Sequence, residues 1–217
     1  MKYLTQVNLM LGLVMTVFTA DFAHAAQSNI GILVFDGFLT NDVTVPIDVF
    51  GAASKKSWFS SYDVVVIAAT KNKTVTSEGG LKVLAKKTID DDLQLDVLIV
   101  PSAYEMGTQL KNKKSIAFIA KYEKMASWLA SNCSGAGVLD GKKAISWAGG
   151  EQDLLTSYPK IDVQFNQNVV VDEKVVTSNG GLVSYQTAFE WLARRRSESL
   201  QFNRLDRAFK SPWLKGS

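Results

Sequence analysis

The sequence contains a single cysteine, Cys133, in surroundings typical of a reactive side chain. It follows the apolar run M-A-S-W-L-A and lies in S-N-C-S-G-A-G-V-L-D-G. A side chain on a sharp turn between a strand and small residues is exposed, and the next backbone N–H groups converge on it. Such N–H groups favour thiolate over thiol. The residues leave three alternatives open for Cys133: a buried small hydrophobe, an intermolecular link or a reactive thiol.

The N-terminus predicts a signal peptide over residues 1–25. Lys2 precedes the apolar run L-M-L-G-L-V-M-T-V-F, and A-H-A ending at Ala25 has the small residues that a signal peptidase reads. We expect cleavage after Ala25 and a periplasmic or secreted product without stable membrane association. The alternative is an uncleaved anchor, for which the apolar run is too short.

Removal of that segment limits the chemistry of the mature chain. The one histidine, His24, lies in it, so no Cys-His or Ser-His dyad and no histidine-ligated metal site would remain. No Gly-rich phosphate loop is present, and we expect neither a metal nor an organic cofactor.

The overall composition predicts one globular domain over residues 26–196, followed by a C-terminal helix and tail over residues 197–217. The sequence is 47% hydrophobic and 21% charged, which is ordinary for a globular chain. Its net charge of +3 is spread over mixed residues, so we expect no nucleic-acid partner. The run R-R-R at Arg194–Arg196 is typical of a helix C-terminus.

Apolar, β-branched runs alternate with helical patterns along the chain. This alternation predicts an α/β fold with a doubly wound, mostly parallel sheet, whose ligand site lies at the carboxyl ends of the strands. In the first helix, Asn41 is the expected N-cap and Pro46 is expected in the first turn. Strands are predicted at 29–35, 62–70, 95–101, 126–131 and 143–147, a hairpin turning at Glu78-Gly79-Gly80, helices at 114–124, 151–158 and from Ser184, and a strand pair over 163–178 turning at Asp172-Glu173.

Four segments in this order resemble the ThiJ/PfpI superfamily of the class I glutamine-amidotransferase-like fold. They are V-F-D-G-F-L-T-N-D-V-T-V-P-I-D-V-F, D-V-L-I-V-P, S-N-C-S-G-A with V-L-D-G-K-K-A behind it, and V-V-T-S-N-G-G…A-F-E-W-L. The likeness is closest to the branch of isonitrile hydratases and of the amidotransferase-like domains of AraC-type regulators. It implies a flavodoxin-like three-layer sandwich with a cysteine nucleophile elbow.

The resemblance also implies roles for individual residues. Cys133 corresponds to the elbow nucleophile, Ser134 to the hydroxyl residue that follows it, and Asp42 to an acid that hydrogen-bonds the cysteine sulfur. Backbone N–H groups of Ser134 and of the loop near Ala103 would form an oxyanion site. The plain alternatives are charge compensation at a helix N-terminus for Asp42 and helix capping for Ser134. Asp48 lies deeper in the first helix, which favours Asp42.

Three departures from the family pattern stand out. Many relatives carry a histidine within a T-H-W-like run where this chain has K-A-I-S-W, which argues against a Cys-His mechanism. The two glycines that usually follow the proline of D-V-L-I-V-P are Ser102 and Ala103 here. The helix after Cys133 is shortened, because Ala136 is followed at once by Gly137.

These features lead to a ranked set of functions. The first is a cysteine-dependent hydratase or hydrolase in which Cys133 attacks a small electrophile, Asp42 moves the proton and water completes the reaction. The alternatives are a thiol sensor oxidised at Cys133 and a non-catalytic domain that binds a small ligand. Relatives imply a homodimer, for which Trp191, Phe202 and Trp213 are candidates, although core packing for Trp191 and an amphipathic tail for the other two are favoured.

Overall fold

A seven-stranded sheet runs through the centre of the molecule in this computed structural model, which describes residues 26–56, 60–132 and 139–195. The strand order is β10-β11-β7-β6-β1-β2-β5, and only the β10–β11 pair is antiparallel. The predicted doubly wound, mostly parallel sheet is therefore confirmed. Its strands are β1 (Ala26–Val34), β2 (Ser60–Ala68), β5 (Lys87–Thr88), β6 (Val97–Val100), β7 (Trp128–Asn132), β10 (Val169–Asp172) and β11 (Val175–Ser178).

Helices cover both faces of this sheet. The chain leaves β1 for β2 on one side and later returns to β6 on the other side of β1. Right-handed crossovers then place the helix after β1 and the helix after β6 on opposite faces. The helices are α1 (Thr40–Lys56), α2 (Met106–Leu110), α3 (Lys113–Met125), α4 (Glu151–Ser157) and α5 (Ser184–Arg195), with a short 3₁₀ turn at Gly181–Val183.

Two small sheets complete the fold. The predicted hairpin at Glu78-Gly79-Gly80 is formed by β3 (Thr74–Thr76) and β4 (Lys82–Leu84). Its tip contacts the start of α1, where Thr40 Oγ1 donates to Ser77 Oγ over 2.9 Å. The second sheet is the parallel pair β8 (Lys143–Ala144) and β9 (Asp162–Val163).

The hydrophobic core lies between the central strands of the sheet and the helices that cover its two faces. All four residues of β6 are buried, as expected for a parallel strand that is covered on both faces. A Cβ at Gly31 would lie 2.6 Å from the Leu95 side chain and 2.7 Å from that of Ile67, so β1 needs glycine there to pack this closely. Trp191 is buried edge-on against Phe50, which confirms core packing for this residue.

The structure corrects two local predictions. Helix α1 begins at Thr40, so Asn41 is not its N-cap, and Pro46 lies inside the helix rather than in its first turn. The contact of Thr40 with the β3–β4 hairpin outweighs the local capping preference. The predicted strand pair over 163–178 is shorter, because Val163 belongs to β9 and pairs with β8.

Candidate functional site

The candidate site lies where the strand order reverses, between β1 and β6. Ligands of open α/β sheets bind in the crevice outside the carboxyl ends of the strands at such a switch point. Asp42, in the first turn of α1, is completely buried there. Asp48, one turn and a half further along α1, is exposed, so only Asp42 belongs to this crevice.

The Asp42 carboxylate accepts four hydrogen bonds from three different segments. Oδ2 accepts from the backbone N–H of Ser102 over 2.9 Å and from the Ser102 hydroxyl. Oδ1 accepts from the backbone N–H of Gly181 over 2.9 Å and from the Ser184 hydroxyl over 2.6 Å. A carboxylate has about four acceptor positions, and all of them are used here. The described residues therefore hold Asp42 as an acceptor.

The N-G-G turn after β11 is shaped to reach Asp42. Gly180 and Gly181 have φ angles of 73° and 58°, in the left-handed region that favours glycine. A Cβ at Gly180 would lie 3.2 Å from Ser102 Oγ and 3.5 Å from both carboxylate oxygens of Asp42. The sequence showed only a turn signal here, and it missed that the turn supplies a donor to the site.

The Ser102 departure from the family pattern has a structural role. Its main-chain N–H and its hydroxyl both bind Asp42, and its carbonyl accepts from Leu39 N over 2.8 Å. Ala103 forms an isolated bridge with Phe38. The loop after β6 is thus tied to the start of α1 on both sides of the carboxylate.

A second polar group connects Asp42 to the end of β7. Asn132, the last described residue of that strand, is buried, and its Nδ2 donates to Ser184 Oγ over 3.4 Å. Its Oδ1 accepts from the hydroxyl of Ser178, which pairs with it across β7 and β11. Sequence reasoning missed Asn132 and Ser184, because neither stands near Asp42 in the chain.

Cys133 and Ser134 lie outside the described residues, as do Phe202, Trp213 and the N-terminal segment 1–25. Of the residues proposed from the sequence, the structure brings Asp42 and Ala103 together at the carboxyl ends of the strands. Asn132, which precedes Cys133 in the sequence, lies at the carboxyl end of β7 and is connected to Asp42 through Ser184.

Exposed apolar side chains flank the donors to Asp42 along the sequence. Tyr104, Leu182 and Tyr185 each lie within two residues of a donor to Asp42, and they are 77%, 87% and 45% exposed. Below Asn132 and Ser184 is a cavity of about 20 Å³, which has room for one water molecule.

Residues 26–56, 60–132 and 139–195 contain neither a metal-binding cluster nor a membrane-spanning helix. No group of three or more histidine, cysteine, aspartate or glutamate side chains in these ranges could hold a metal ion. No helix in them is long and apolar enough to cross a membrane.

A mostly parallel sheet with helices on both faces is the architecture of the flavodoxin-like three-layer folds. Within that class, the sequence pattern of the DJ-1/PfpI family matches residues 28–194. The chain belongs to the DJ-1/PfpI family, which is known for cysteine-based catalysis or sensing. No curated protein is significantly similar to it in sequence.

Solved structures with the same fold come from several groups of organisms. A mutant DJ-1 superfamily protein from Salmonella typhimurium has a TM-score of 0.72 and 19% identity, over 86% of this chain and 100% of that one. Oxidized DJ-1 from Toxoplasma gondii has a TM-score of 0.66 and 17% identity, over 79% and 92%. An AraC family transcriptional regulator from Pseudomonas putida has a TM-score of 0.64 and 16% identity, over 77% and 91%. At these identities the likeness shows the fold alone.

Proposed function

We propose that this chain is an exported DJ-1/PfpI protein that uses Cys133, with Asp42, to add water to a small electrophile or to hydrolyse it. The observation that carries the proposal is the hydrogen-bonded connection from Asp42 through Ser184 to Asn132, the residue that precedes the only cysteine. A buried carboxylate lies at the switch point and is connected by hydrogen bonds to the strand that precedes the thiol. This arrangement is suited to nucleophilic catalysis.

The reaction we favour is hydration of an isonitrile. The Cys133 sulfur forms a bond to the terminal isonitrile carbon, and that carbon takes up a proton, which leaves a thioimidate. The oxygen of a water molecule then bonds to the same carbon, and one proton of that water goes to the nitrogen. The C–S bond breaks, and the second proton goes to the sulfur. The net change is R–N≡C plus water to the formamide R–NH–CHO, with no change in the oxidation state of the protein.

Asp42 would take part in the proton transfers through its hydroxyl partners. The backbone N–H groups of Ser102 and Gly181 are fixed, whereas the hydroxyls of Ser102 and Ser184 rotate. The Ser102 hydroxyl, which takes no part in the contact with Asn132, can turn away from the carboxylate and leave an acceptor position for a proton. Asp42 would then act as a base that is available only after such a rotation.

The side chains around the site favour a small, neutral and partly apolar substrate. Tyr104, Leu182 and Tyr185 offer exposed apolar surface beside the donors to Asp42. The loops that carry those donors, residues 102–105 and 179–185, contain Glu105 and no lysine or arginine. An anionic substrate would find no cation in either loop.

The test is consumption of an alkyl isonitrile by the mature protein, with the formamide identified by mass spectrometry. We expect turnover that is abolished in Cys133→Ala and reduced at least tenfold in Asp42→Asn, because one lost catalytic contact commonly costs that much. Asp48→Asn, in the same helix but exposed, is the matched control and should retain activity. Full turnover by Cys133→Ala would exclude the proposal.

A second function, oxidative sensing at Cys133, is favoured by one observation: a solved relative, DJ-1 from Toxoplasma gondii, is described as oxidized. Peroxide treatment would then add one or two oxygen atoms to Cys133, with peroxide as the oxidant and water as its reduced product. Mass spectrometry of the intact protein measures the addition. A chain that hydrates isonitriles but gains no oxygen would favour the enzyme.

The proposal includes export and pairing into a homodimer. We expect the secreted or periplasmic form to begin at Ala26 after removal of residues 1–25, which N-terminal sequencing checks. An N-terminus at Met1 in a membrane fraction would instead indicate the uncleaved anchor. Light scattering of the mature protein measures the oligomeric state, and a monomer mass at micromolar concentration would exclude the dimer.

A further inference from the structure

We infer that Ser184 and Asn132 are positioning residues through which Asp42 acts on the end of β7, the strand that precedes Cys133 in the sequence. This inference rests on the proposed use of Cys133. It differs from a direct contact between Asp42 and the sulfur, because it assigns the effect of the carboxylate to a chain of buried side chains.

The hydrogen bonds of this network all donate in the same direction, from Gly180 towards Asp42. Gly180 N donates to Ser178 Oγ over 3.2 Å, and the Ser178 hydroxyl donates to Asn132 Oδ1. On the other side of the amide, Asn132 Nδ2 donates to Ser184 Oγ over 3.4 Å, and the Ser184 hydroxyl donates to Asp42 Oδ1 over 2.6 Å. Each hydroxyl gives its single hydrogen to one neighbour and accepts from the other.

The amide of Asn132 fits this chain in only one orientation. Its oxygen can only accept and its nitrogen can only donate. Ser184 gives its hydrogen to Asp42, so it can meet Asn132 only as an acceptor, and Nδ2 must face it. The negative charge of Asp42 thus sets the hydroxyl of Ser184, which sets the amide of Asn132.

The side chains of this network are buried, which makes their geometry matter. The exposed fractions are 0% for Asp42, 1% for Ser184, 4% for Asn132 and 0% for Ser178. In a buried network each hydrogen bond is stronger than in water, and a missing partner leaves a costly unpaired group. A change at Ser184 would therefore displace Asn132, and with it the strand end that continues into Cys133.

The experiment is a double-mutant cycle on the pH profile of Cys133 alkylation by iodoacetamide in the full mature chain. The variants are Asp42→Asn, Ser184→Ala and the double variant. We expect each single substitution to move the midpoint of the profile by about 0.5 to 1 pH unit, the size of one buried hydrogen bond. Both substitutions interrupt the same hydrogen-bond network. The double variant should therefore move the midpoint no further than the larger of the two single shifts.

Two further variants separate positioning from a general loss of structure. Ser184→Thr keeps the hydroxyl, and the adjoining cavity of about 20 Å³ can take part of the added methyl group, so it should restore the wild-type midpoint. Ser115→Ala is the matched control. Ser115 is a buried serine in the first turn of α3, and its hydroxyl has no partner within the described part of the chain.

The outcomes are distinguishable. An unchanged midpoint in Ser184→Ala, or shifts that add in the double variant, overturns the inference while leaving the proposed function in place. If Asp42→Asn leaves the midpoint unmoved, both the inference and the proposed role of Asp42 beside Cys133 are overturned. If Ser184→Ala does not fold, Ser178→Ala removes the hydrogen bond to Asn132 Oδ1 at the other end of the network. The same shift of the midpoint is then expected, and an unchanged midpoint overturns the inference. A wild-type thiol that reacts only after unfolding overturns the proposed function itself.

Discussion

Replacement of Asp42 by asparagine tests the structural side of the site most sharply, because the two side chains have the same shape. The asparagine oxygen can serve only one of the two donor pairs that Asp42 now accepts. Its NH₂ group must then face the other pair. A serine hydroxyl can rotate to accept from it, but the backbone N–H of Ser102 or Gly181 cannot.

The size of the effect follows from these contacts. One buried backbone N–H loses its partner, which costs about 1 to 3 kcal/mol. The two bonds kept by the oxygen change from charged to neutral and lose about 1 kcal/mol each. Removal of a buried charge offsets part of the sum. We expect a net loss of about 2 to 4 kcal/mol in the free energy of unfolding, or roughly 5 to 15 °C in Tm.

Urea unfolding followed by circular dichroism gives the measurement, with the midpoint lowered and the slope unchanged. Asp48→Asn is the control in the same helix, and as an exposed change it should stay within about 0.5 kcal/mol of wild type. A stability of Asp42→Asn equal to that of Asp48→Asn would refute the reasoning, since it would mean that the four hydrogen bonds do not hold Asp42 in solution.

Two other substitutions test the structure at separate places. Gly180→Ala places a methyl group 3.2 Å from Ser102 Oγ at a φ of 73°, and should lower the free energy of unfolding by about 1 to 3 kcal/mol in urea titrations; an unchanged midpoint would contradict the turn geometry. Tyr122→Phe removes the 2.7 Å bond to the Leu93 carbonyl and should cost about 1 to 2 kcal/mol at neutral pH. Burial, and then nearby Asp92, raises the pKa of Tyr122. Its contribution is therefore fully present below pH 10 and is lost as the pH rises above that value, so the two proteins should converge in alkaline solution, and a constant gap would contradict this.

The sequence predicted the sheet well because its central strands are continuous apolar runs, of which β6 is buried along its whole length. The runs that became β1, β2 and β6 are continuous and β-branched, and they alternate with helical patterns, which is enough to indicate a parallel α/β sheet. The choice of Asp42 over Asp48 followed from the position of each in the first helix, and the structure buries the first and exposes the second.

The partners of Asp42 could not be predicted from local patterns. Ser102, Gly181 and Ser184 come from segments that are 60 to 142 residues away along the chain. Only the strand order brings them together. The same long-range contacts explain the misplaced N-cap, because the start of α1 is fixed by the hairpin contact at Thr40 and not by the propensity of Asn41.

The central proposal is that Cys133 is a tuned nucleophile next to a buried carboxylate. The most direct test is the rate of Cys133 alkylation by iodoacetamide as a function of pH, in the mature protein and in Asp42→Asn at a temperature where both are folded. We expect a midpoint well below about 8.5, the reference value for a free thiol, and a different midpoint in the variant. A thiol that reacts only when the protein is unfolded would contradict the proposal and make Cys133 a structural residue.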